Sequence, residues 1–268
     1  MSNVIVVGAG LFGSILGKIM EDAGHDVTFI DSKEKRSGSK AAACLMKPSW
    51  MSGIDVKPCI ALLDKYYGVE TLKFRAGKPG IATLPVDVFW VNPKSILNSD
   101  RNIVNEKVIE IKDGVVITEE QTYKGIVIVA AGVWTRDLLP KMPEIRGLVG
   151  SCIIGEGKVK TPTINVYAPY KQAVFFNRGE NETWFGDGTS IIEKNFTDEH
   201  RTRTRQRAKD MANIEGGIIT GTRPYTKGNN LGVFEKLGNR LYVSTGGAKN
   251  GTILGATHGL QLLKGLSK

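Results

Sequence analysis

The chain has 268 residues, with 36 lysines and arginines against 27 aspartates and glutamates, which gives a formal net charge of +9 at pH 7. Hydrophobic residues make up 41% and charged residues 24%, a balance that excludes a disordered or low-complexity chain. Glycine is the exception: its 32 residues exceed the usual share of about 7% and predict many tight turns and close backbone approaches.

The three cysteines, Cys44, Cys59 and Cys152, are widely spaced and include no CxxC pair. This pattern predicts neither a disulfide framework nor a metal site, and it favours a reducing compartment. The longest apolar run is far shorter than the roughly 20 residues that span a bilayer, and the first residues do not resemble a signal peptide. We therefore expect a soluble, cytoplasmic protein with no membrane partner and no bound metal.

The elements predicted at the start of the chain alternate between strand and helix. An apolar run at 4–7 predicts a buried strand, a glycine-rich break follows at 8–13, and apolar residues at helical spacing predict a helix at 11–23. A second buried strand is predicted at 27–30, before a loop at 32–53. This order is typical of an α/β fold.

The rest of the chain has more strands than helices. The predicted elements are a helix at 57–67, short strands within 71–91, a hairpin within 106–117, a buried strand at 125–131, strands at 151–154, 163–167, 173–176 and 183–185, a basic helix from 198, turns and one strand within 221–243, and a helix at 251–266. This order predicts a nucleotide-binding α/β part at both ends of the chain, with a β-rich part inserted between them.

A dinucleotide-binding pattern lies between the first predicted strand and helix. Gly8, Gly10 and Gly13 form GxGxxG, in which the glycines permit a tight turn, the approach of a pyrophosphate and close packing of helix on sheet. The start of the helix stabilises phosphate charge, and Asp31 after the second strand can accept hydrogen bonds from ribose hydroxyls. Gly17 extends the pattern to a spacing commoner with FAD than with NAD, but this pattern alone leaves both cofactors open.

Five further segments carry a family resemblance. They are, in order, 39–46 (SKAAACLM), 126–134 (IVIVAAGVW), 146–147 (RG), 221–224 (GTRP) and 245–254 (TGGAKNGTIL). In this order they resemble the FAD-dependent D-amino-acid and glycine oxidase superfamily. In that family the first segment lies beside the flavin ring, and Cys44 stands here where glycine is usual. The last segment brings backbone amides to the pyrimidine end of the flavin.

The resemblance implies a discontinuous, FAD-binding Rossmann-like domain at 1–47, 95–144 and 221–268. A small β-rich α+β substrate domain is expected at 48–94 and 145–220. The implied cofactor is non-covalent FAD. The cofactor-binding residues expected from the glycine pattern and the resemblance are Gly8, Gly10, Leu11, Phe12, Gly13, Asp31, Ser32, Ser39, Ala42, Ala43, Val108, Ala131, Gly132, Trp134, Gly246, Gly247, Lys249, Asn250, Gly251 and Thr252.

The resemblance also assigns residues to the substrate. In such enzymes the flavin carries the redox chemistry, while the protein binds and orients the substrate. The arginine of Gly-x-Arg-Pro, here Arg223, is expected to grip a substrate carboxylate through its planar guanidinium; the alternative is a surface arginine in a turn. Lys249 stands where glycine oxidases often carry a second arginine. Tyr167 and Tyr170 are expected near the substrate, unless they are ordinary sheet aromatics.

The predicted basic helix carries Arg201, Arg203, Arg205 and Arg207. Residues two apart on a helix lie about 200° apart, so these cations cannot all lie on one face. The helix is either a solvated surface element or a phosphate-contacting one.

The short substrate part leaves little room for the lid that covers a small substrate, which favours a larger one. Two relatives in the resemblance act on a glycine adduct of a nucleic-acid base, one on tRNA uridine and one, a phage lyase, on DNA thymidine. We therefore expect C–N cleavage of a glycine-type amine on DNA or RNA, releasing glyoxylate and leaving a primary amine. The alternatives are an oxidase of free glycine, D-amino acids or sarcosine that produces hydrogen peroxide, a flavin protein without amine chemistry, and an NAD-dependent dehydrogenase. The oligomeric state and the electron acceptor of the reduced flavin stay open.

Overall fold

The computed structural model describes residues 1–33, 35–51, 53–77, 84–97, 101–142, 144–167, 171–227 and 231–266; for 165–167 and 171–172 it describes the backbone. The strands are β1 (Asn3–Val7), β2 (Asp26–Ile30), β3 (Leu45–Met46), β4 (Glu70–Gly77), β5 (Leu84–Trp90), β6 (Ile103–Val104), β7 (Val108–Lys112), β8 (Val115–Thr118), β9 (Thr122–Lys124), β10 (Ile126–Val129), β11 (Ile145–Glu156), β12 (Thr163–Tyr167), β13 (Lys171–Asn177), β14 (Glu182–Gly186), β15 (Ile191–Ile192), β16 (Gly216–Thr226), β17 (Val233–Lys236) and β18 (Leu241–Thr245). The α-helices are α1 (Leu11–Asp22), α2 (Lys57–Tyr67), α3 (Pro93–Leu97), α4 (Thr135–Leu138), α5 (Asp198–Ala212) and α6 (Gly251–Leu266).

A six-stranded sheet has the order β17-β18-β10-β1-β2-β6, and all its pairings are parallel except that of β17 with β18. Its central strands are runs of β-branched residues, as expected for parallel strands covered on both faces. Helices α1 and α6 cover one face, where Ile15 and Leu254 are fully buried in one apolar cluster. The small sheet β7-β8-β9 covers the other face, with Val116 in the cluster of Val7 and Val129. The predicted α/β fold is confirmed.

Helix α1 lies close to its sheet because glycines face it. A side chain at Gly17 would overlap the ring of Phe29, and one at Gly13 would overlap the carbonyl of Gly8. The third glycine of the pattern therefore has the packing role predicted for it. Gly17 has a packing role as well, so its spacing reports helix–sheet contact.

A second sheet has the order β15-β11-β14-β13-β12-β4-β5-β3, and β16 pairs with β11. Strands β11 and β16 run antiparallel over their whole length, from Ile145 opposite Thr226 to Gly155 opposite Gly216. Within 221–243, where the sequence predicts turns and one strand, the structure has the end of β16, then β17 and the start of β18, and Arg223 and Pro224 lie inside β16. Proline is tolerated there because β16 pairs with only one full strand, so a missing amide hydrogen breaks no second ladder.

Helix α5 packs against the second sheet through Thr204 and Ala208, the two buried residues of an otherwise polar helix. It begins with a capping box, in which the Thr197 side chain accepts from the backbone of His200 and the His200 side chain accepts from the Thr197 amide. The helix ends at Ala212, and the capping residue Asn213 has φ of 50°, in the left-handed region. The predicted basic helix is confirmed and reaches Ala212.

The six-stranded sheet and the second sheet each combine segments that are distant in sequence. The domain boundaries expected from the resemblance stay a prediction. The helices described here include none that is long and apolar enough to cross a membrane.

Candidate active site

The main cavity opens where the parallel strands of the first sheet end. It has a volume of about 1090 Å³, and Val7, Ile30 and Ala130 line it at or just beyond the carboxyl ends of β1, β2 and β10. Ligands of open α/β sheets bind at this edge. The volume exceeds the roughly 300–1,000 Å³ of sites for drug-sized ligands, so a dinucleotide has room here.

The glycine loop forms one wall of the cavity. Gly8 has φ of 100°, and a Cβ there would lie 2.6 Å from the carbonyl oxygen of Ala130, so only glycine fits. A Cβ at Gly10 would lie 2.7 Å from Oγ of Ser39. Helix α1 starts at Leu11, and the amides of a first helical turn have no intrahelical partner. The loop is therefore shaped to accept an anion close to its backbone.

The carboxylate of Asp31 lines the cavity and is held by backbone amides. Its Oδ2 accepts a hydrogen bond from the Ala9 amide at 2.6 Å, and its Oδ1 accepts one from the Lys33 amide at 2.6 Å. A carboxylate oxygen can accept more than one hydrogen bond, so both oxygens can still accept from ribose hydroxyls. The two amides thus fix the orientation of the Asp31 side chain, and its binding of a ribose stays a prediction.

The small-residue segment lines the cavity next to the glycine loop, since Oγ of Ser39 accepts a hydrogen bond from the Leu11 amide. Ser39, Ala42, Ala43 and Cys44 line the cavity, and the Trp90 indole donates a hydrogen bond of 3.0 Å to the Ala43 carbonyl. Cys44 has φ of 53°, in the region that favours glycine, which fits its place in the family pattern. Burial raises the pKa of the Cys44 thiol to about 11, so it is a neutral wall of the site.

The residues around the start of α6 form another wall of the cavity, which we call the far wall. Lys249, Asn250, Gly251 and Thr252 line the cavity at the start of α6. Gly246 and Gly247, also expected at the cofactor, are outside the lining set. A side chain at Gly246 would overlap Thr226, and a Cβ at Gly247 would lie 2.9 Å from side-chain atoms of Phe12 and Leu254. These two glycines thus permit close packing behind the wall.

Two cations line the same end of the cavity. Arg223 donates from Nη1 to Oγ of Ser190 at 2.8 Å, and Gly150 makes room for it, since a Cβ there would lie 2.9 Å from Nη2 of Arg223. Burial lowers the pKa of Arg223. Burial, and then the charge of Arg223, lower the pKa of Lys249. Within the described residues neither cation has an ion-pair partner, which suits both to an anionic ligand.

A buried carboxylate lies behind these cations. Asp187 is 1% exposed, and its Oδ2 accepts from Nη1 of Arg207 at 3.2 Å and from the Thr204 hydroxyl at 3.3 Å. Its Oδ1 accepts from the Thr189 amide at 2.9 Å. The negative charge of Asp187 raises the pKa of both Arg223 and Lys249 against the effect of burial.

The structure assembles most of the predicted cofactor residues. The ones that line the cavity are Gly8, Gly10, Leu11, Phe12, Asp31, Ser32, Ser39, Ala42, Ala43, Val108, Ala131, Gly132, Trp134, Lys249, Asn250, Gly251 and Thr252. For Tyr167 the structure describes the backbone in β12, and Tyr170 lies outside the described residues. Assignment of these residues to the cofactor or the substrate stays a prediction.

Sequence reasoning missed three residues near the end of the cavity that holds Arg223 and Lys249, namely Trp184, Asp187 and Ser190. Trp184 and Ser190 line the cavity, and Gly186 and Gly188 line it on either side of Asp187. An acid between two glycines at the end of a strand was the available signal. In the part of the chain described here, no group of three His, Cys, Asp or Glu residues is placed to hold a metal.

The arginines of α5 do not share one role. Arg201 pairs with Asp198 at 2.7 Å, and Arg207 pairs with Asp187. Nε and Nη2 of Arg203 are buried without a described partner. Arg207 is therefore engaged within the protein through Nη1, and its expected contact with a phosphate stays a prediction.

Arg201 and Arg205 line a second cavity of about 490 Å³, which we call the basic groove. Its lining residues are Lys35, Arg36, Asp198, Arg201, Thr202, Arg205, Ile218 and Thr220. Thr220 of the groove and Thr222 of the main cavity lie two residues apart on one face of β16, a spacing of about 7 Å. The Thr222 amide donates to the Arg36 carbonyl at 2.8 Å, so the groove adjoins the main cavity.

Comparison with known proteins gives one family. A family model described as FAD dependent oxidoreductase matches residues 101–263. An L-glutamate oxidase precursor from Streptomyces diastatochromogenes is 43% identical over 38 residues, which are 14% of this chain and 6% of that protein. That match thus spans a small part of the relative's length.

Solved structures share the fold over the whole chain. Glycine oxidase from Bacillus cereus has a TM-score of 0.76 at 15% identity, with 100% of this chain and 96% of that chain covered. Iminodiacetate oxidase from Chelativorans has a TM-score of 0.70 at 14% identity, with 98% and 95% covered. At these identities the likeness concerns the fold.

Proposed function

This chain belongs to the FAD dependent oxidoreductase family, and from this premise we propose that it oxidises the amine of a glycine-type substrate whose carboxylate binds Arg223 and Lys249. The observation that carries the proposal is the pair of cations at one end of the cavity, neither with a described ion-pair partner. A planar guanidinium can hold a carboxylate through two parallel hydrogen bonds. Such a grip fixes the carbon next to the carboxylate, which is the carbon to be oxidised.

FAD is the cofactor of this family, and when bound it would supply the acceptor for a hydride from the carbon that carries the amine. The residues that would hold it fit its chemistry. The start of α1 at Leu11 suits the pyrophosphate, Asp31 suits the ribose, and the segment 249–252 at the start of α6 suits an electron-rich ring. The observation that favours this fit is the narrow space beside Gly10, where a Cβ would lie 2.7 Å from Oγ of Ser39.

The chain itself binds and orients the substrate. Loss of a hydride from carbon and of a proton from nitrogen leaves a C=N bond. Addition of water to that bond then breaks the C–N link and releases glyoxylate and an amine. An amine that binds in its neutral form needs no protein base for hydride loss. Arg223 supplies the positive charge that a carboxylate beside the reacting carbon requires, and Ser190 fixes the guanidinium.

The test uses the holoenzyme under anaerobic conditions, with glycine, sarcosine and other N-substituted glycines as candidate substrates. We expect bleaching of the flavin spectrum by a carboxylate-bearing amine, but not by the matching amine that lacks the carboxylate. Arg223→Ala should retain FAD and lose at least about 100-fold in kcat/KM, because a charge-paired group leaves the site. Equal reduction by amines with and without the carboxylate would overturn the proposal, as would full activity of Arg223→Ala.

A second candidate function places the glycine-type amine on a nucleic-acid base. The basic groove supports it, because Lys35, Arg36, Arg201 and Arg205 line one surface next to the main cavity, and Asp198 is the carboxylate among them. Lysine and arginine side chains bind phosphates and release counterions when they do so. A nucleic-acid backbone in the groove would bring an attached base towards the cavity.

Binding of DNA and RNA oligonucleotides to the holoenzyme at increasing salt tests this candidate. We expect log K to fall with log salt, and Arg36→Gln with Arg205→Gln to make the slope shallower by about 1 to 2. The pair Lys124→Gln and Lys158→Gln removes equal charge from two exposed sites outside the groove and is the control. Equal changes in both double variants would exclude a specific groove. Mass spectrometry of nucleosides from modified DNA and tRNA incubated with the enzyme then identifies the substrate.

A further inference from the structure

The geometry points to Arg207 as a positioning residue that holds the Asp187 carboxylate on the side of α5 and so leaves Arg223 and Lys249 available to a substrate carboxylate. This inference rests on the proposed function, and it concerns a residue outside the main cavity. Arg207 belongs to the helix, whereas Asp187 belongs to the turn after β14. The pair therefore joins two elements that the sheet brings together.

The contacts of Asp187 divide between two sides. Oδ2 accepts from Nη1 of Arg207 and from the Thr204 hydroxyl, both on α5. Oδ1 accepts from the Thr189 amide within its own turn. Asp187 is 1% exposed, so water cannot replace a lost partner, while the Arg207 side chain is 33% exposed. The cation on α5 is thus the described ion-pair partner of a buried carboxylate.

The same turn reaches the substrate end of the cavity. Gly186 and Gly188 line the cavity, and Gly188 has φ of 68°. Ser190, two residues further, accepts from Nη1 of Arg223. The turn therefore carries Asp187 on the α5 side and the partner of Arg223 on the cavity side.

Removal of the Arg207 charge would leave Asp187 as a buried carboxylate without its cation. Such a group is strongly destabilised and takes another partner where one is in reach. Arg223 already contacts the turn that carries Asp187, since its Nη1 donates to Oγ of Ser190. The charge of Asp187 also opposes the lowering of the Arg223 and Lys249 pKa values by burial. If the Asp187 side chain rotated towards either cation, it would neutralise a positive charge that the substrate carboxylate needs. The loss would appear in binding and not in the chemical step.

The experiment measures the Kd of acetate for the FAD-loaded enzyme from the change in the flavin spectrum, together with KM and kcat for the substrate. Arg207→Gln should weaken acetate binding and raise KM by about tenfold, with kcat changed less than about twofold, because binding of substrate and transition state is lost equally. Arg207→Lys keeps the charge and should recover most of the affinity. Lys209→Gln is the matched control, because it removes a cation of the same helix whose partner Glu215 is exposed.

The double variant Asp187→Asn with Arg207→Gln separates positioning from a structural role. Without the carboxylate nothing competes for Arg223 and Lys249, so acetate affinity should return to within about threefold of the unmodified enzyme, a non-additive effect. No recovery in the double variant would overturn the inference, and so would unchanged affinity in Arg207→Gln. If Arg207→Gln alone does not fold, Asp187→Asn and the double variant carry the test: both should bind acetate to within about threefold of the unmodified enzyme, and weak binding by either would overturn the inference. Failure of the unmodified holoenzyme to bind acetate would instead reject the proposed function.

Discussion

Oγ of Ser39 accepts a hydrogen bond from the Leu11 amide at 2.9 Å and so joins the small-residue segment to the start of α1. The same oxygen lies 2.7 Å from the position of a Cβ on Gly10. The Ser39 hydroxyl thus occupies the space beside Gly10 that a larger side chain would need, at the point where we expect a pyrophosphate to bind.

Gly10→Ala should therefore reduce bound FAD. The methyl group displaces the Ser39 hydroxyl and narrows the approach to the α1 amides, so we expect FAD affinity to fall at least about tenfold, or about 1.4 kcal/mol. The flavin-to-protein absorbance ratio after gel filtration measures it. Gly265→Ala, which meets no atom within 4 Å in α6, is the control and should keep full FAD content. Equal FAD content in both variants would contradict the claim that FAD binding requires the absence of a side chain at Gly10.

Gly150→Ala should weaken substrate binding without loss of FAD. A Cβ there would lie 2.7 Å from the Thr189 carbonyl oxygen and 2.9 Å from Nη2 of Arg223, so the guanidinium must shift. We expect KM to rise by about tenfold, because a misplaced donor no longer forms both hydrogen bonds. Gly217→Ala in β16 is the control, since its Cβ meets its nearest atom at an ordinary 3.9 Å. A normal KM for Gly150→Ala would show that the guanidinium position is not fixed by this contact.

Carboxylate binding should weaken at alkaline pH through Lys249. Burial and the charge of Arg223 lower the pKa of Lys249, so the ammonium group loses its proton below the pH at which an ordinary lysine does. The Kd of acetate, which stays ionised, should rise as the pH increases through that lowered pKa. Lys249→Arg keeps its charge and should bind acetate with little change up to pH 10, whereas Lys249→Met should bind weakly throughout. A flat profile for the unmodified enzyme would show that Lys249 makes no contribution.

His258 should make the protein less stable in mild acid. Its Nδ1 lies 2.8 Å from Oγ of Ser244, and burial lowers its pKa to about 4. The unfolded chain binds the proton near pH 6.5, so the free energy of unfolding falls as the pH drops from about 6.5 towards 4, by up to about 3 kcal/mol. Urea unfolding at pH 7 and pH 5 measures the loss. His258→Phe should unfold with a smaller difference between the two pH values, and an equal difference would exclude this origin.

The sequence predicts the cofactor half of the site better than the substrate half. Gly8 and Gly10 lie in a tight turn, and Asp31 follows the end of a strand. Such local geometry can be predicted from neighbouring residues in the sequence. Arg223 is found through the family resemblance, with a surface arginine in a turn as the alternative, and the structure places it inside β16 although Pro224 normally ends a strand. Pro224 is tolerated inside the strand because β16 pairs with only one full strand, and no local sequence pattern reports that position.

Asp187 and Arg207 show why the rest could not be predicted. An acid in a turn and an arginine on a polar helix each suggest exposure to solvent, and their pairing depends on how α5 packs on the second sheet. For Gly246 and Gly247 the structure adds close packing on Thr226, Phe12 and Leu254, which the family pattern does not report, and their place at the cofactor stays a prediction.

The order of strands in the first sheet also determines when the cofactor cavity can be completed. Val129 of β10 lies between Val7 near one end of the chain and Val243 near the other, and the segment 249–252 closes the far wall. The glycine loop leaves the ribosome long before these partners do, and non-local pairings of this kind form slowly. Completion of the cavity is therefore a late event in biosynthesis, and a nascent chain that stalls before α6 lacks one of the cavity's walls.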